Sequence, residues 1–296
     1  MMLVTGRCGI KINLTLRVLE ERGDGYHNIC SLFWRRQSPE ILQADFCAVR
    51  DRLTVTGAEI PGENTLIAAR RHIRNSCGDD FLPPVEIILH KFLPPGGGVG
   101  AGSGNAAAFL CLARAAAGFE GEGMFPGIAL LGSDVPFLAS GQALAIACGI
   151  GETLHVIEGD LNMSGMIFFP SWSAGTAEAY RALDEARAAG RHEELLSERE
   201  ARGEAMSVLD RLRRGRKVGV IPNDFSACAG HADEYALLED LASCSGAIVW
   251  GLCGSGSGYF AFFRPEDAGV GMRRVFCAIR EKKETFNWLR QILVLE

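Results

Sequence analysis

Hydrophobic and polar residues alternate along residues 8–20, which read CGIKINLTLRVLE. Ile10 and Leu14 belong to the hydrophobic series, while Lys11 and Asn13 belong to the polar series between them. A period of two residues is typical of a β-strand with one buried face, because successive side chains point to opposite sides. The pattern predicts a first strand whose polar face carries Lys11 and Asn13.

Strand and helix patterns interleave through the rest of the chain. The first half contains predicted strands at 52–56 and 85–90, a helix at about 63–76, an alanine-rich helix that ends at Gly118, a short helical piece within 124–139, and a hairpin that turns at Gly149 to Gly151. The second half contains predicted strands at 166–169, 247–250 and 258–263, helices at 176–189, 233–243 and 266–282, and a polar helix-rich stretch at 191–214. The hairpin predicts a domain boundary, with one domain over 1–156 and the other over 157–296.

The composition is that of a folded globular protein. The chain has 296 residues, of which 48% are hydrophobic, so it is long enough to bury a large core. Its formal net charge is −6, which disfavours nucleic acid as a partner, and we interpret the short basic cluster at 211–217 as a solvated helix end. No stretch reaches 18 consecutive apolar residues, and the first residues lack the pattern of a secretory leader. We therefore expect a cytoplasmic protein with no membrane partner.

Ten cysteines are scattered along the chain, without a Cys-x-x-Cys pair and without the histidine spacing of a zinc site. We expect reduced thiols, several of which lie in apolar runs where cysteine packs as a small hydrophobic residue. The sequence predicts no metal site formed by the protein's own side chains.

A glycine-rich stretch, residues 94–104, runs directly into a strong helix-forming sequence that starts at its last glycine. Such a stretch is either a flexible linker or a cradle of backbone N–H groups for a phosphate at a helix N-terminus. The abutting helix, with Ser103 or Asn105 as a candidate cap, favours the cradle. A Walker A loop is excluded because Gly-Lys occurs nowhere in the chain, and a dinucleotide-binding oxidoreductase is disfavoured because residues 91–95 separate the preceding strand from the glycines.

The glycine motif PPGGGVGAGSGNAA at 94–107 resembles the phosphate-binding motif of the GHMP superfamily of small-molecule kinases. Its long form is similar to that of the 4-diphosphocytidyl-2-C-methyl-D-erythritol kinase family. Other segments resemble the same family in the same order along the whole chain: KINL at 11–14, DGYH at 24–27, ENTL at 63–66, LGSDVPF at 131–137, TAEAY at 176–180, NDF at 223–225 and GSG at 254–256. The DGYH element is the most specific, because the wider superfamily shares the glycine motif but not this element.

The resemblance implies an α+β, two-domain GHMP kinase fold. Its N-terminal domain would contain a left-handed βαβ unit, its C-terminal domain would be a ferredoxin-like α/β sandwich, and the active site would lie in the interdomain cleft. It also implies ATP-dependent phosphorylation of the 2-hydroxyl of 4-diphosphocytidyl-2-C-methyl-D-erythritol, with magnesium (Mg2+) arriving on the ATP. The substrate would carry a cytidine diphosphate moiety, and nothing indicates an obligate protein partner.

Two residues would carry the chemistry if the resemblance holds. Asp134 would orient the hydroxyl and accept its proton, and Lys11 would lie beside Asp134 and stabilise charge on the transferred group. From the residues alone, Asp134 is as readily a turn or helix-cap residue, and Lys11 is more readily a solvated strand lysine.

Binding roles follow from the same resemblance. Tyr26, His27 and Tyr180 would hold the cytosine, with two aromatic rings enclosing the base, and Asn13 would contact the substrate near the reacting hydroxyl. Without the family, these would be surface-loop, core and polar strand positions. The ATP phosphates would contact Pro94, Gly96, Gly97, Gly98, Gly100, Gly102, Ser103, Gly104 and Asn105, together with Gly254, Ser255 and Gly256 of a turn from the second domain.

Four features depart from the family pattern. Gly104 replaces a usual serine, Gly23 a usual proline and Cys253 a usual serine, and the segment 34–39 differs from the usual continuation. Two alternative functions therefore stay open: a superfamily kinase that acts on a different small alcohol, and a catalytically silent nucleotide-binding paralogue.

Overall fold

The computed structural model describes residues 3–59, 62–78, 81–118, 125–192 and 194–296. The first residue of the helical piece expected within 124–139 and residue 193 of the expected polar stretch lie outside the described residues. The strands are β1 Leu3–Glu21, β2 His27–Asp45, β3 Arg52–Gly57, β4 Glu86–Lys91, β5 Leu144–Cys148, β6 Thr153–Ile157, β7 Ser164–Pro170, β8 Gly219–Val220, β9 Val249–Leu252, β10 Tyr259–Phe263 and β11 Leu289–Leu295. The helices are α1 Thr65–Cys77, α2 Ala101–Ala116, α3 Val135–Ser140, α4 Thr176–Ala188, α5 Glu198–Arg213, α6 Ala232–Ser245 and α7 Pro265–Glu281.

The first sheet is organised around the long strand β2. One edge of β2 pairs antiparallel with β1 along most of its length. Its other edge pairs with β5 over 31–34 and with β4 over 41–45, so the sheet forks between these two partners. β3 lies parallel to β4 and is connected to it through α1, while β6 completes the other branch as the second strand of the expected hairpin.

The first strand, β1, is longer than the sequence pattern predicted, and both of its faces are buried. Ile10 and Leu14 are fully buried on one side, and Lys11 and Asn13 on the other side are only 7% and 1% exposed. The alternative that Lys11 is a solvated strand lysine is therefore wrong. The polar face of β1 is covered because α2 and the loop before α2 pack across this strand.

Three strands, β2, β8 and β11, were not predicted from the sequence. The middle of β2 contains the polar run 35–38 and a proline at position 39, which break the alternation of a half-buried strand. This segment coincides with the fork, where one edge of β2 has no ladder partner among the described strands. Proline is tolerated at such an unpaired edge because it has no N–H group to donate.

The second sheet has the order β11-β7-β10-β9-β8, and its pairs are antiparallel except for β8 with β9. Together with helices α1 to α7 and the first sheet it forms an α+β architecture. The strands of the first sheet end at residue 157 and those of the second begin at residue 164. The division into domains over 1–156 and 157–296 stays a prediction. No helix of the described residues is both long and apolar enough to span a membrane.

Three hydrophobic clusters define the layers of the molecule. Helices α1, α2 and α3 cover one face of the first sheet, and α6 and α7 cover the outer face of the second sheet. Between the sheets, α5 packs with the inner faces of both. Trp34 of the first sheet makes an edge contact with Phe262 of the second, with ring centroids 4.9 Å apart.

A buried charge cluster joins β1 to the C-terminal half of the chain. Asp224 is 5% exposed and accepts hydrogen bonds from Arg17 at 2.6 Å and Arg187 at 3.1 Å. Arg17 also donates to Glu204 of α5 at 2.7 Å. The hydrogen bonds with Glu204 and Asp224 raise the pKa of Arg17, so its guanidinium stays charged. The cluster fixes β1 against α4, α5 and the 3₁₀ turn that contains Asp224.

We predict that Asp224→Ala destabilises the protein by about 3–5 kcal/mol, because it leaves the partly buried Arg187 guanidinium without its carboxylate and removes one of the two carboxylates that pair with Arg17. Urea denaturation measures the free energy of unfolding. Asp210→Ala is the matched control, because Asp210 forms an exposed pair with Arg214 on one helix and should change stability little. Equal losses in the two variants would contradict a fixing role for Asp224.

Candidate active site

A cleft of about 420 Å³ lies between the two halves of the molecule. Its lining combines residues of β1, the loop from β4 to α2, the turn before α3, helix α4 and the turn after β9. Residues from nearly the whole length of the chain therefore meet at one concave site, which is the usual form of a small-molecule site.

The glycine-rich loop 94–100 forms one wall of this cleft. Gly98 adopts φ 71°, and a Cβ atom there would lie 1.8 Å from the carbonyl oxygen of Cys253. Glycine is required at this position for both reasons, since other residues rarely adopt this conformation and no side chain fits. The N–H of Ser257 also donates to the Gly96 carbonyl at 3.0 Å. The backbone of the loop therefore packs directly against the backbone of the turn after β9.

Helix α2 begins at Ala101, earlier than the sequence pattern suggested. Its N-cap is Gly100 in the left-handed conformation, with no side-chain cap. Ser103 and Asn105 lie inside the first turns, so the expectation that one of them caps the helix is wrong. Ala101, Gly102 and Ser103 line the cleft. Because the N–H groups of a first helical turn have no helical partners, this arrangement suits an anion.

Behind the loop, Asn105 belongs to a buried cluster that was not predicted from the sequence. Glu40 of β2 is fully buried and accepts from Lys91 at 2.6 Å and from the Asn105 amide at 2.7 Å. It also accepts from the backbone N–H of Leu93 at 3.0 Å. Glu40 thus fixes the end of β4, the start of the loop and α2 at the fork of the sheet. The signal was a carboxylate opposite a lysine across two paired strands, which is visible only once β2 is recognised.

The opposite wall contains the pair predicted to carry the chemistry. Lys11 Nζ lies 3.8 Å from an oxygen of Asp134 and donates to Asn13 Oδ1 at 2.6 Å. The Asn13 amide donates to Ser31 at 2.8 Å, and the Lys11 N–H donates to the carbonyl of Val99 in the loop at 3.0 Å. Asp134 stands at the start of α3, with 21% of its side chain exposed. The structure therefore brings Lys11, Asn13 and Asp134 together beside the loop.

The aromatic residues form a second part of the site. Tyr180 of α4 stacks on His27 with ring centroids 5.2 Å apart, and its edge contact with Phe225 measures 4.9 Å. His27 Nε2 lies 3.0 Å from an Asp184 oxygen. Burial, together with two nearby carboxylates, raises the pKa of Tyr180 to about 12, so its phenol stays neutral. Tyr26 directly precedes β2 and is 61% exposed, and its enclosure of a base with Tyr180 stays a prediction.

Most of the predicted site residues line the cleft: Lys11, Asn13, Pro94, Gly96, Gly97, Gly98, Gly100, Gly102, Ser103, Asn105, Asp134, Tyr180, Gly254 and Ser255. Four lie outside this lining as the described residues define it: Tyr26, His27, Gly104 and Gly256. His27 is nevertheless adjacent through Tyr180, and the Gly256 carbonyl lies against Gly98. The lining also includes Thr65 and Thr176, neither of which was predicted as a site residue. The Thr65 hydroxyl donates to the Gly102 carbonyl at 3.0 Å.

The side chains around the cleft fit a metal ion that is carried largely by a ligand. Within the described ranges, no group of three His, Cys, Asp or Glu side chains could hold a metal ion. The Asp134 carboxylate and the Ser103 hydroxyl are oxygen donors on the cleft lining. Magnesium is typically held by one or two such groups together with phosphate oxygens and water.

Comparisons with known proteins place this geometry in a family. The chain is 32% identical over 283 residues to the 4-diphosphocytidyl-2-C-methyl-D-erythritol kinase of Moorella thermoacetica, and the alignment covers 92% of this chain and 93% of the relative. The chain belongs to the 4-diphosphocytidyl-2-C-methyl-D-erythritol kinase family. A crystal structure of a 4-(cytidine 5'-diphospho)-2C-methyl-D-erythritol kinase superposes with a TM-score of 0.72 at 26% identity, and covers 99% of this chain and 98% of its own.

The fold extends beyond this kinase family. A homoserine kinase from Cytophaga hutchinsonii superposes with a TM-score of 0.62 at 14% identity, over 99% of this chain and 94% of its own, which shows a shared fold. None of the protein-family models searched matches the chain. The expected two-domain GHMP kinase fold is confirmed, and the protein is a kinase.

Within this kinase, the departures from the family pattern have different structural settings. A Cβ atom on Gly104 would lie 1.8 Å from the carbonyl oxygen of Gly9, so α2 approaches β1 too closely for the usual serine. Cys253 is fully buried, and burial raises the pKa of its thiol to about 12, so it packs as a neutral side chain. Gly23 lies in an open turn. The segment 34–39 spans the middle of β2, where the edge opposite β1 passes from β5 to β4.

We predict that Gly104→Ser destabilises the kinase by about 1–3 kcal/mol, because its Cβ atom would force α2 away from β1. Thermal unfolding, followed by circular dichroism, measures the loss. Gly102→Ser on the same helix is the matched control, since the nearest atom to its Cβ position is a Thr65 methyl at 3.7 Å. A Gly104→Ser variant as stable as Gly102→Ser would show that the close approach is not required.

Proposed function

We propose that this kinase transfers the γ-phosphoryl group of ATP to the 2-hydroxyl of 4-diphosphocytidyl-2-C-methyl-D-erythritol. One observation carries the proposal: the Lys11–Asp134 pair lies in the same cleft as the glycine loop and the Tyr180 ring. The family relationship supports the substrate, because the relatives are named for that alcohol. The protein is expected to act as a cytoplasmic enzyme.

The glycine loop and the start of α2 are suited to the phosphates. Gly96, Gly98 and Gly100 all have positive φ angles, a conformation that lets successive backbone N–H groups converge on an anion. The first turn of α2 adds the partial positive charge of a helix N-terminus. The turn at 254–256 faces this loop and would close over the phosphates from the other half of the molecule.

Asp134 and Lys11 would act on the hydroxyl and the transferred group. The Asp134 carboxylate is oriented toward the cleft at the start of α3 and would accept the hydroxyl proton as the new P–O bond forms. Lys11 supplies a fixed positive charge 3.8 Å from Asp134, and its hydrogen bond to Asn13 holds the ammonium group in place. A positioned cation of this kind stabilises the charge on the phosphoryl oxygens in the transition state.

The cytidine end of the substrate would lie at the aromatic part of the cleft. Tyr180 offers a rigid face or edge beside His27, and the exposed Tyr26 ring is free to fold onto a base. Stacking on aromatic rings binds any nucleobase, so it gives affinity without selecting one base. His27 and backbone groups can hydrogen-bond the edge of the cytosine and so select it.

Magnesium would enter with ATP, held by phosphate oxygens with Ser103 and Asp134 as the available side-chain oxygens. When bound, it would neutralise part of the charge of the phosphates. The protein's own part is to hold those two oxygen donors on the cleft wall.

We predict that Asp134→Asn lowers kcat by about a hundredfold or more, because the amide cannot accept the hydroxyl proton. Nucleotide affinity, measured by calorimetry with a nonhydrolysable ATP analogue, should change little. Asp210→Asn, far from the cleft on α5, is the control and should keep normal turnover. Near-normal kcat in Asp134→Asn would remove this residue from the mechanism.

We predict that Tyr26→Ala raises the KM for the cytidyl substrate by about tenfold, since stacking on one base contributes about 1–3 kcal/mol. The KM for ATP should stay unchanged in steady-state assays. Phe276→Ala, which removes an exposed ring from α7, is the matched control. A rise confined to the KM for ATP would show that the two pockets are assigned the wrong way round.

Turnover with the cytidyl alcohol, compared with homoserine and mevalonate, tests the substrate itself. The proposal requires the cytidyl alcohol to have a kcat/KM far above the other two. Preference for another alcohol, or nucleotide binding with no turnover of any of them, would establish one of the alternatives instead.

A further inference from the structure

Two cysteines face each other on the side of the first sheet that lies away from α2. Cys30 of β2 and Cys148 of β5 are both buried, in the cluster that packs against α5. The β2–β5 ladder pairs Ser31 with Ala147, so the next position along the antiparallel strands places one cysteine opposite the other. The two thiols are close enough to shift each other's pKa. The kinase reaction uses neither of them.

The ladder also fixes how far apart the two backbones are. The Ile29 N–H donates to the Gly149 carbonyl at 2.7 Å, which marks a hydrogen-bonded position of the ladder. The adjacent position, with Cys30 and Cys148, is therefore a non-hydrogen-bonded one. Opposite Cα atoms at such a position are about 4.5 Å apart. This distance falls within the range of roughly 4.4–6.8 Å found for disulfides, at its short end.

A cation from α5 completes the group. Arg202 contacts the Cys148 sulfur and pairs with Glu198 at 2.7 Å. The hydrogen bond from Cys30 lowers the pKa of Cys148, and the positive charge of Arg202 adds to this, against the effects of burial and of Glu198. The same thiol–thiol contact and burial raise the pKa of Cys30. Of the two sulfurs, Cys148 therefore loses its proton more readily than Cys30.

We propose that Cys30 and Cys148 are an oxidisable pair that a hydroperoxide converts to an intramolecular disulfide. The Cys148 thiolate attacks one peroxide oxygen, the O–O bond breaks, and hydroxide leaves, so that a sulfenic acid forms on Cys148. The Cys30 sulfur then attacks the Cys148 sulfur, and the S–S bond forms as the S–O bond breaks. The Cys30 proton leaves with the departing oxygen as water, so two thiols and one hydrogen peroxide give one disulfide and two waters.

Access and reversibility both follow from the position of the pair. Arg202 is a surface side chain with 32% of its area exposed, so its displacement opens a path to Cys148 for a molecule as small as peroxide. A disulfide at the short end of the distance range is strained, and strained disulfides are reduced more readily. Dithiothreitol should therefore restore both thiols.

The pair lies directly behind the substrate side of the cleft. Two cleft-lining residues are close to the cysteines in sequence: Ile29 precedes Cys30, and Ile150 lies two residues after Cys148. Ser31, which follows Cys30, accepts the hydrogen bond from Asn13. A covalent bond that draws β2 and β5 together shifts this wall. We expect the oxidised kinase to have a kcat/KM for its alcohol that is several-fold lower and recovers on reduction.

The test is oxidation of the reduced full-length protein with hydrogen peroxide, followed by alkylation of the remaining thiols and peptide mapping by mass spectrometry. The expected product has lost two hydrogen atoms and contains a cross-linked Cys30–Cys148 peptide. Cys8 serves as an internal control, because it is equally buried but burial raises the pKa of its thiol to about 11, and it should stay reduced. Arg202→Met should slow formation of the cross-link several-fold.

Single-cysteine variants separate the two steps. Cys30→Ser should stop at a sulfenic acid on Cys148, which a dimedone probe captures, and Cys148→Ser should leave Cys30 unreacted. If either variant fails to fold, the wild-type peptide map still decides. Alkylated Cys30 and Cys148 in a sample whose exposed Cys47 and Cys244 are already oxidised would overturn the proposal. A cross-link that forms equally fast in Arg202→Met would overturn the role of the arginine.

Discussion

The contact between the glycine loop and the turn after β9 is the constraint on which the site depends. At Gly98 the two backbones are so close that a Cβ atom would lie 1.8 Å from a carbonyl oxygen. This contact joins a loop that leaves the first sheet to a turn that belongs to the second sheet. The cleft has a defined width because backbone, and not a mobile side chain, sets the separation of its walls.

Buried ion pairs fix the positions of the segments around that contact. Glu40 with Lys91 fixes the loop from behind, and Asp224 with Arg17 fixes β1 to the C-terminal helices. Buried pairs add little net stability because desolvation offsets their attraction. A misplaced partner is costly, however, since it leaves a charge unpaired in the interior. We infer that these pairs mainly select one arrangement of segments that are distant in sequence.

The sequence allowed the prediction of the architecture through local patterns and motif order, and it placed Lys11, Asp134 and the glycine loop in one site. It did not reveal β2, since a strand whose middle lies at a fork has no regular alternation there. Glu40 was hidden with it, because its role depends on the register of two paired strands. The start of α2 was placed too late, since glycine is a poor helix former and the left-handed Gly100 cap leaves no side-chain signal.

The fork in the first sheet has a consequence for how the chain assembles. β1 and β2 are joined by a short turn, so their long hairpin closes a small loop at low entropic cost. β4 and β5 both add to the same edge of that hairpin, but β5 begins about a hundred residues after the end of β2. We therefore expect the hairpin to be the template on which the two branches dock. The cleft, which also needs residues of the second half of the chain, should form late in folding.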